Sequence, residues 1–219
     1  MESPSNLPGL LSSAEVLSND DNTIEILPAH ERAVNGVLKR SVDIVGALVG
    51  LVASIPLILI FGYMIYRESK GPIFFTQTRV GRNDKPFKLY KLRSMSLDAE
   101  KDGAGWTVDN DPRILKIGHF IRRTNIDEVP QFLNVLIGNM SLVGPRPEQP
   151  EYIEKFAKEI PNYHSRHAAK PGITGWSQIN GWRGDTDIYQ RVMFDLDYIR
   201  NYSPILDIKI MWRTLFDRK

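Results

Sequence analysis

Asn125-Ile126-Asp127-Glu128 sets two carboxylates side by side in the first turn of a helix predicted from about Ile126 to Ile137, closed by Gly138-Asn139. Asn125 stands where an N-cap belongs, and Glu128 falls at the capping-box position. First-turn carboxylates are favoured by the helix dipole alone, so the pair has a purely structural reading. The same placement also suits a nucleophile. A helix N-terminus would keep Asp127 ionised and offer amide donors to a phosphate. One carboxylate could then attack phosphorus to give an acyl phosphate while its neighbour holds a cation or a proton.

The cations for such chemistry are spread along the chain. In Gly144-Pro145-Arg146-Pro147 two prolines fix the backbone on either side of one guanidinium, which suits a bidentate grip on phosphate. Lys91 and Arg93 alternate with Phe87 and Leu89 along a strand-like segment, and Arg113, Arg122 and Arg123 precede the carboxylate pair. Taken singly, each is a solvated surface charge; together they would line a pocket for a polyanion. His164 and His167 sit at i, i+3 without a third ligand at helix spacing and read as surface residues. The sequence has no P-loop, HExxH or GxSxG pattern, and it has no cysteine. Metal binding would fall to Asp127, Glu128 and phosphate oxygens, a hard donor set that points to Mg²⁺.

Positioning these groups requires a scaffold, and one segment dominates it. Ile44 to Tyr66 are 23 consecutive residues without a charge, about 35 Å as a helix. That is long for a buried core helix and long enough for a bilayer. It starts too far from Met1 for a signal peptide. Pro56 near its middle predicts a kink or break, and Ser54 could bond a carbonyl freed there. Lys39 and Arg40 precede the run and Arg67 and Lys70 follow it. Two basic flanks suggest a segment that enters the bilayer and returns, with both ends cytoplasmic, rather than a single span.

Around this run, residues 1–30 read as a flexible leader with a short turn near Leu10–Leu17, and a helix begins at 31–43. Residues 73–78 and 87–92 read as a hairpin about the turn 81–86, and 98–112 as a loop. Helices are expected at 114–123, 148–159, 186–202 and 205–216, an extended stretch at 141–147 and a Gly- and Trp-rich loop at 171–184. The last helix has the composition of an interfacial element with Trp212 at headgroup depth, and equally of a core helix.

The 219 residues have ordinary globular composition, 42% hydrophobic and 25% charged, which excludes a wholly disordered chain. Net charge is +2, but residues 1–36 carry −5, so the remainder is a basic body at +7. A basic body suits a membrane surface, a phosphorylated substrate or nucleic acid. The basic residues lack a recognition-helix pattern, which disfavours nucleic acid.

LKRSVDIVGALVG, GPIFFTQTRVGRNDKPFKLYKLRSM, DPRILKIGHFIRRTNIDEVPQFLNVLIGNMSLVGPRPE and KPGITGWSQINGWRGDTD together resemble the bacterial sugar transferases. These polyprenyl-phosphate sugar-1-phosphate transferases are also called monotopic phosphoglycosyl transferases, and the resemblance runs from about Val37 to Phe216. It implies transfer of a sugar 1-phosphate from a UDP-sugar to undecaprenyl phosphate with release of UMP, the first committed step of exopolysaccharide, capsule or O-antigen assembly. It implies that Asp127 is the nucleophile that carries a covalent phosphosugar, and that Glu128 assists through Mg²⁺ or proton handling. Lys91, Arg113, Arg122 and Arg146 match positions that hold phosphates. It further implies a re-entrant helix broken at Ser-Pro; here Ile55 precedes Pro56 and Ser54 lies one place earlier, a departure from the pattern.

The larger relatives carry an N-terminal half with spanning helices, so this sequence resembles the minimal catalytic form. Residues 181–203 are similar to the glucose-transferring branch, with galactose-transferring members close to it. The expected fold is therefore mixed α+β and mostly helical: a re-entrant membrane helix at 44–66, a small β-hairpin and amphipathic interfacial helices around a cytosolic active site, all within a transferase domain at 31–219. The expected setting is the bacterial inner membrane, with the catalytic side facing the cytoplasm. A homo-oligomer remains open, and the competing reading is a non-enzymatic single-span scaffold or regulator of polysaccharide assembly.

Overall fold

The computed structural model describes residues 25–99, 101, 111–184 and 186–216. The turn expected near Leu10–Leu17, most of the leader and loop residues 102–110 lie outside them. The chain enters through α1 (Pro28–Val34), three residues earlier than expected, and breaks at Gly36 before α2 (Val37–Glu68). The hairpin β1 (Phe74–Val80) and β2 (Pro86–Leu92) pairs antiparallel, from Phe74 opposite Leu92 to Val80 opposite Pro86. Then come α3 (Lys116–Arg123), a 3₁₀ turn at Ile126–Glu128, α4 (Gln131–Ile137) and β3 (Ser141–Val143). They are followed by α5 (Pro150–Glu159), a 3₁₀ turn at Tyr163–Ala168 and β4 (Gly172–Thr174), which pairs parallel with β3. α6 (Trp176–Ile179), α7 (Ile188–Arg200) and α8 (Pro204–Phe216) complete the order. The stretch 171–184 is thus not all loop: it supplies β4 and α6.

α2 is one uninterrupted helix of 32 residues, about 48 Å long, and Pro56 lies inside it without ending it. The Ser54 hydroxyl donates to the Leu51 carbonyl at 2.8 Å, not to the Val52 carbonyl that proline leaves without its usual partner. One side of α2 packs against the body along its length. At Gly46 an added Cβ would meet Leu142 Cδ1 at 2.5 Å, and at Gly50 the Phe132 ring at 2.6 Å, so these two glycines let β3 and α4 approach the helix closely. Ile65 is buried with Leu92, Leu115 and Ile121, and Phe61 stacks on Phe120. The opposite side exposes Val45, Val49, Val52, Leu59, Ile60 and Tyr63.

The basic residues at the N-terminal end of α2 have internal partners. Lys39 is buried, 2.7 Å from Asp207 Oδ2, and Arg40 donates to the Val135 and Leu136 carbonyls at the end of α4. Both ends of α2 therefore dock on one body: the N-terminal end through Lys39 and Asp43, the C-terminal end through Glu68, whose carboxylate accepts from the Lys116 and Ile117 amides that open α3. Lys39 and Arg40 thus fasten the helix to the body.

α8 packs one face on the core and leaves an apolar face exposed. Leu206 and Ile210 face the core, while Ile205, Ile208, Trp212, Leu215 and Phe216 are exposed. The main core joins Ala47, Val135, Met140, Val143, Tyr198, Ile199 and Ile210. A second cluster joins Val80, Ile153, Phe156, Tyr163 and Leu196.

Candidate active site

The carboxylate pair does not open a long helix. Asn125 takes a left-handed conformation (φ 58°), Ile126–Glu128 form a single 3₁₀ turn, and α4 starts only after Pro130. Asn125 makes no side-chain cap; its Oδ1 accepts from Arg183 instead. The turn is placed by Asn134, fully buried on α4. Its Oδ1 accepts from the Tyr90 amide at 3.0 Å and its Nδ2 donates to the Lys88 carbonyl at 2.7 Å. That pair of bonds locks α4 to the edge of β2 and so sets Asp127 and Glu128 beside Lys91.

The resulting pocket has a volume of about 590 Å³. Asp127, Glu128, Lys91, Arg113, Arg122 and Arg146 all line it, so the six residues singled out from the sequence converge on one cavity. Arg93 and Arg183 join them. Arg123 does not line it; its guanidinium lies over the Phe120 ring.

The two carboxylates have different surroundings. Glu128 Oε1 accepts from Lys91 Nζ at 2.9 Å and from Arg146 Nη2 at 3.0 Å, and Arg183 Nη2 lies 3.8 Å from Oε2. Burial alone would raise its pKa, but Lys91, Arg146 and Arg183 together hold it well below the usual carboxylate range. Asp127 is equally buried, and no hydrogen bond holds its carboxylate among the described residues. Burial pushes its pKa up, Lys91 opposes and the adjacent Glu128 charge adds to the rise. The sequence reading expected a helix terminus to keep Asp127 ionised. The one-turn 3₁₀ geometry supplies no such dipole, and desolvation dominates.

The basic residues also differ in how far their donors are committed. Arg113 is largely engaged by its own neighbourhood: Nε and Nη2 donate to the two Asp111 oxygens at 2.9 and 2.7 Å, and Nη1 to the Ala99 carbonyl. Arg122 lies close enough to Asp127 to lower its pKa. Arg93 is buried; Nη2 donates to the Ser69 carbonyl at the end of α2, while Nε and Nη1 have no partner among the described residues.

Arg146 is aimed by more than its prolines. Gly144 N donates to Thr174 O and Gly172 N to Pro145 O, each at 2.9 Å, extending the β3–β4 pairing through the loop. Arg166 Nη2 donates to the Arg146 carbonyl at 2.9 Å, and Arg166 is fixed by Asp195, which also accepts from Ser177. Arg166 and Arg183 were missed from the sequence. The only local signal for Arg183 was its position between Gly181 and Gly184, both with positive φ.

Of the two histidines read as surface residues, His164 is on the surface and His167 is not. His167 is buried, and burial together with the Arg166 charge pushes it down to about 4, so it is neutral at pH 7. His164 is exposed. Both contact Asp84.

The chain matches the family model described as bacterial sugar transferase over residues 34–218. It is 45% identical over 202 residues to UDP-glucose:undecaprenyl-phosphate glucose-1-phosphate transferase of Escherichia coli (strain K12), covering 89% of this chain and 44% of that protein. It is 43% identical to UDP-N-acetylgalactosamine-undecaprenyl-phosphate N-acetylgalactosaminephosphotransferase of Aeromonas hydrophila, covering 81% of this chain and 43% of that protein. It is 44% identical to exopolysaccharide production protein PSS of Rhizobium leguminosarum bv. phaseoli, covering 82% of this chain and 94% of that protein. The chain thus spans less than half the length of the first two relatives and nearly all of the third.

Proposed function

The chain belongs to the bacterial sugar transferase family, and on that footing we propose that it transfers a sugar 1-phosphate from a UDP-sugar to undecaprenyl phosphate, initiating assembly of an exopolysaccharide, capsule or O-antigen. One observation carries the reading: in a cavity lined by cations, one buried carboxylate is held by two of them while its neighbour has no hydrogen bond among the described residues. Glu128 is the anchored member, and Asp127 is the one available to react.

In the first half-reaction an Asp127 carboxylate oxygen forms a bond to the sugar-bearing phosphorus, and the bond from that phosphorus to the UMP oxygen breaks. UMP leaves with the electron pair. In the second, an oxygen of the lipid phosphate attacks the same phosphorus, Asp127 leaves as carboxylate and the lipid diphosphate sugar forms. Lys91, Arg122, Arg146 and Arg183 surround the space where the transferred phosphate must sit and would stabilise its charge. Arg113 is the weaker contributor, since Asp111 already takes two of its donors.

The donor set fits Mg²⁺ through Asp127 and the substrate's diphosphate oxygens, a pattern that ion favours, and the ion would neutralise the diphosphate. Glu128 fits less well as a ligand, because Lys91 and Arg146 already occupy Oε1.

The lipid has a route to this centre. The pocket lining begins at Pro72, just after α2 ends at Glu68, and its wall includes the exposed Phe74 and Leu97. Both ends of α2 dock on the same body, which supports a monotopic protein; its proposed setting is the inner membrane, with the pocket at the cytoplasmic surface. The exposed apolar side of α2, Leu133 and Ile137 of α4 and the outer side of α8 would enter the lipid.

Glucose is the favoured sugar; the names of similar proteins include both glucose and N-acetylgalactosamine, so the donor is tested as a panel of UDP-sugars. Purified enzyme with Mg²⁺ and UDP-glucose, without lipid, is expected to release one UMP per chain and gain the mass of a hexose phosphate on Asp127. Asp127→Asn is expected to lose the adduct and to reduce lipid-linked product by about 10⁴-fold or more. Product formation by Asp127→Asn near the wild-type rate overturns the covalent mechanism.

A further inference from the structure

Asp84, His164 and His167 converge outside the phosphate pocket, on the wall of a separate cavity. Asp84 ends the 3₁₀ turn Arg82–Asp84 at the tip of the β1–β2 hairpin, and the histidines lie at i, i+3 on the 3₁₀ turn Tyr163–Ala168. With three residues per turn, that spacing puts both rings on one side of the turn. Their planes are nearly perpendicular, 80° apart, and both Nδ1 atoms reach the same carboxylate oxygen, Asp84 Oδ1, at 2.8 and 2.6 Å. The three ligand-type groups lie within 4.8 Å of one another. Asp84 reaches this position from a left-handed backbone (φ 57°), and Asn162, just before the histidine turn, is left-handed too (φ 57°). An open cavity of about 290 Å³ fronts the group, with the Glu31 side on its wall.

Hydrogen bonding within the cluster uses one oxygen of Asp84 and one nitrogen of each ring. The second Asp84 oxygen has no partner among the described residues, and Glu31 stands near as a further oxygen donor. Two imidazoles with a carboxylate are a donor set for zinc-type cations and a poor one for Mg²⁺. At metal–ligand bonds of about 2.0–2.1 Å the donor atoms would stand about 3.3 Å apart, so each must move by roughly half an ångström. The half-exposed side chains of Asp84 and His164 can supply that movement.

We infer that Asp84, His164 and His167 bind a divalent transition-metal ion of the zinc class, with water or Glu31 completing the coordination. The site clamps the hairpin tip to the turn that carries Arg166, and through the Arg166–Arg146 contact it steadies one wall of the phosphate pocket without taking part in transfer.

The test uses the untagged full chain in phosphatidylglycerol nanodiscs, stripped of metal and titrated with Zn²⁺, and separately with Co²⁺, in millimolar Mg²⁺. One equivalent of Zn²⁺ is expected to bind at micromolar concentration or below and to raise the thermal midpoint, and Co²⁺ is expected to give visible ligand-field bands. Asp84→Asn and His164→Ala are expected to weaken binding by about a hundredfold or more and to abolish those bands, while Asp127→Asn leaves both unchanged. His164 is exposed, so its replacement leaves the fold intact, which far-ultraviolet circular dichroism checks. Absence of Zn²⁺ binding over the Mg²⁺ background, or binding indifferent to both substitutions, overturns the site.

Discussion

Behind Arg146, Asp195 takes Nε and Nη2 of Arg166 and the hydroxyl of Ser177, and nearby Glu148 takes Arg191 at 2.7 Å. In front of it, Glu128 and Asp127 face Lys91, Arg122, Arg146 and Arg183, and among the described residues only one of the two carboxylates is hydrogen-bonded. Behind, each buried anion is held by a guanidinium group. In front, cations outnumber anions, and the surplus has a use only when a further anion arrives. A buried ion pair adds little net stability, but losing one member of it costs a great deal. The cationic surplus is the reverse case: it is poor for stability and favourable for holding phosphates. Substitutions behind the pocket should therefore register mainly as unfolding, and those in front mainly as lost activity.

The largest expected effect lies behind. Asp195→Ala leaves Arg166 buried without its counter-ion and removes the acceptor of Ser177. It is expected to cost about 3–5 kcal/mol of stability in denaturant titration. Because Arg166 also holds the Arg146 carbonyl, whatever protein remains folded should bind UDP-sugar poorly. A loss under about 1 kcal/mol would mean that this network is not the support drawn here.

Next comes Arg146→Ala, in front. It leaves Glu128 with Lys91 and removes one phosphate donor. Activity is expected to fall about 10²–10³-fold with the denaturation midpoint nearly unchanged. Arg146→Lys should recover only part of the loss, because an ammonium cannot form two parallel bonds to phosphate. Unfolding in place of lost activity would reassign Arg146 to the scaffold.

The hairpin was legible because strand alternation and the turn residues 81–86 agreed, and so was the break between α7 and α8 at Ser203-Pro204. The six pocket residues could be named in advance because they lie in the segments that carry the family resemblance; taken singly, none of them stands out from its local setting. Features that depend on remote partners stayed hidden. Lys39 finds Asp207 across 168 residues and Arg40 the end of α4 across 95, so counting flanking charges could not place them. Asp84 meets the two histidines only after the hairpin tip folds onto the 3₁₀ turn Tyr163–Ala168. Two local signals were misread instead. Asp111 stands two residues from Arg113 and takes its donors. Pro130, after the carboxylate pair, marks the separate start of α4, and it makes the pair a turn of its own.

That turn yields the smallest and most diagnostic prediction. Asp127 must be ionised to attack, and burial together with the Glu128 charge raises its pKa above the ordinary carboxylate value. The rate of UMP release in the first half-reaction should therefore rise with pH along an acid limb set by Asp127. Glu128→Gln removes the neighbouring negative charge and leaves Lys91 and Arg146 to act on Asp127 alone, which lowers its pKa. The limb is expected to move to lower pH, whatever the loss in absolute rate. Lys91→Met removes the largest stabilising charge and should move it to higher pH. Burst amplitudes of UMP between pH 4 and 8, measured on both variants, read the two shifts directly. Shifts in the same direction would show that Glu128 acts on the nucleophile by positioning it and not through its charge.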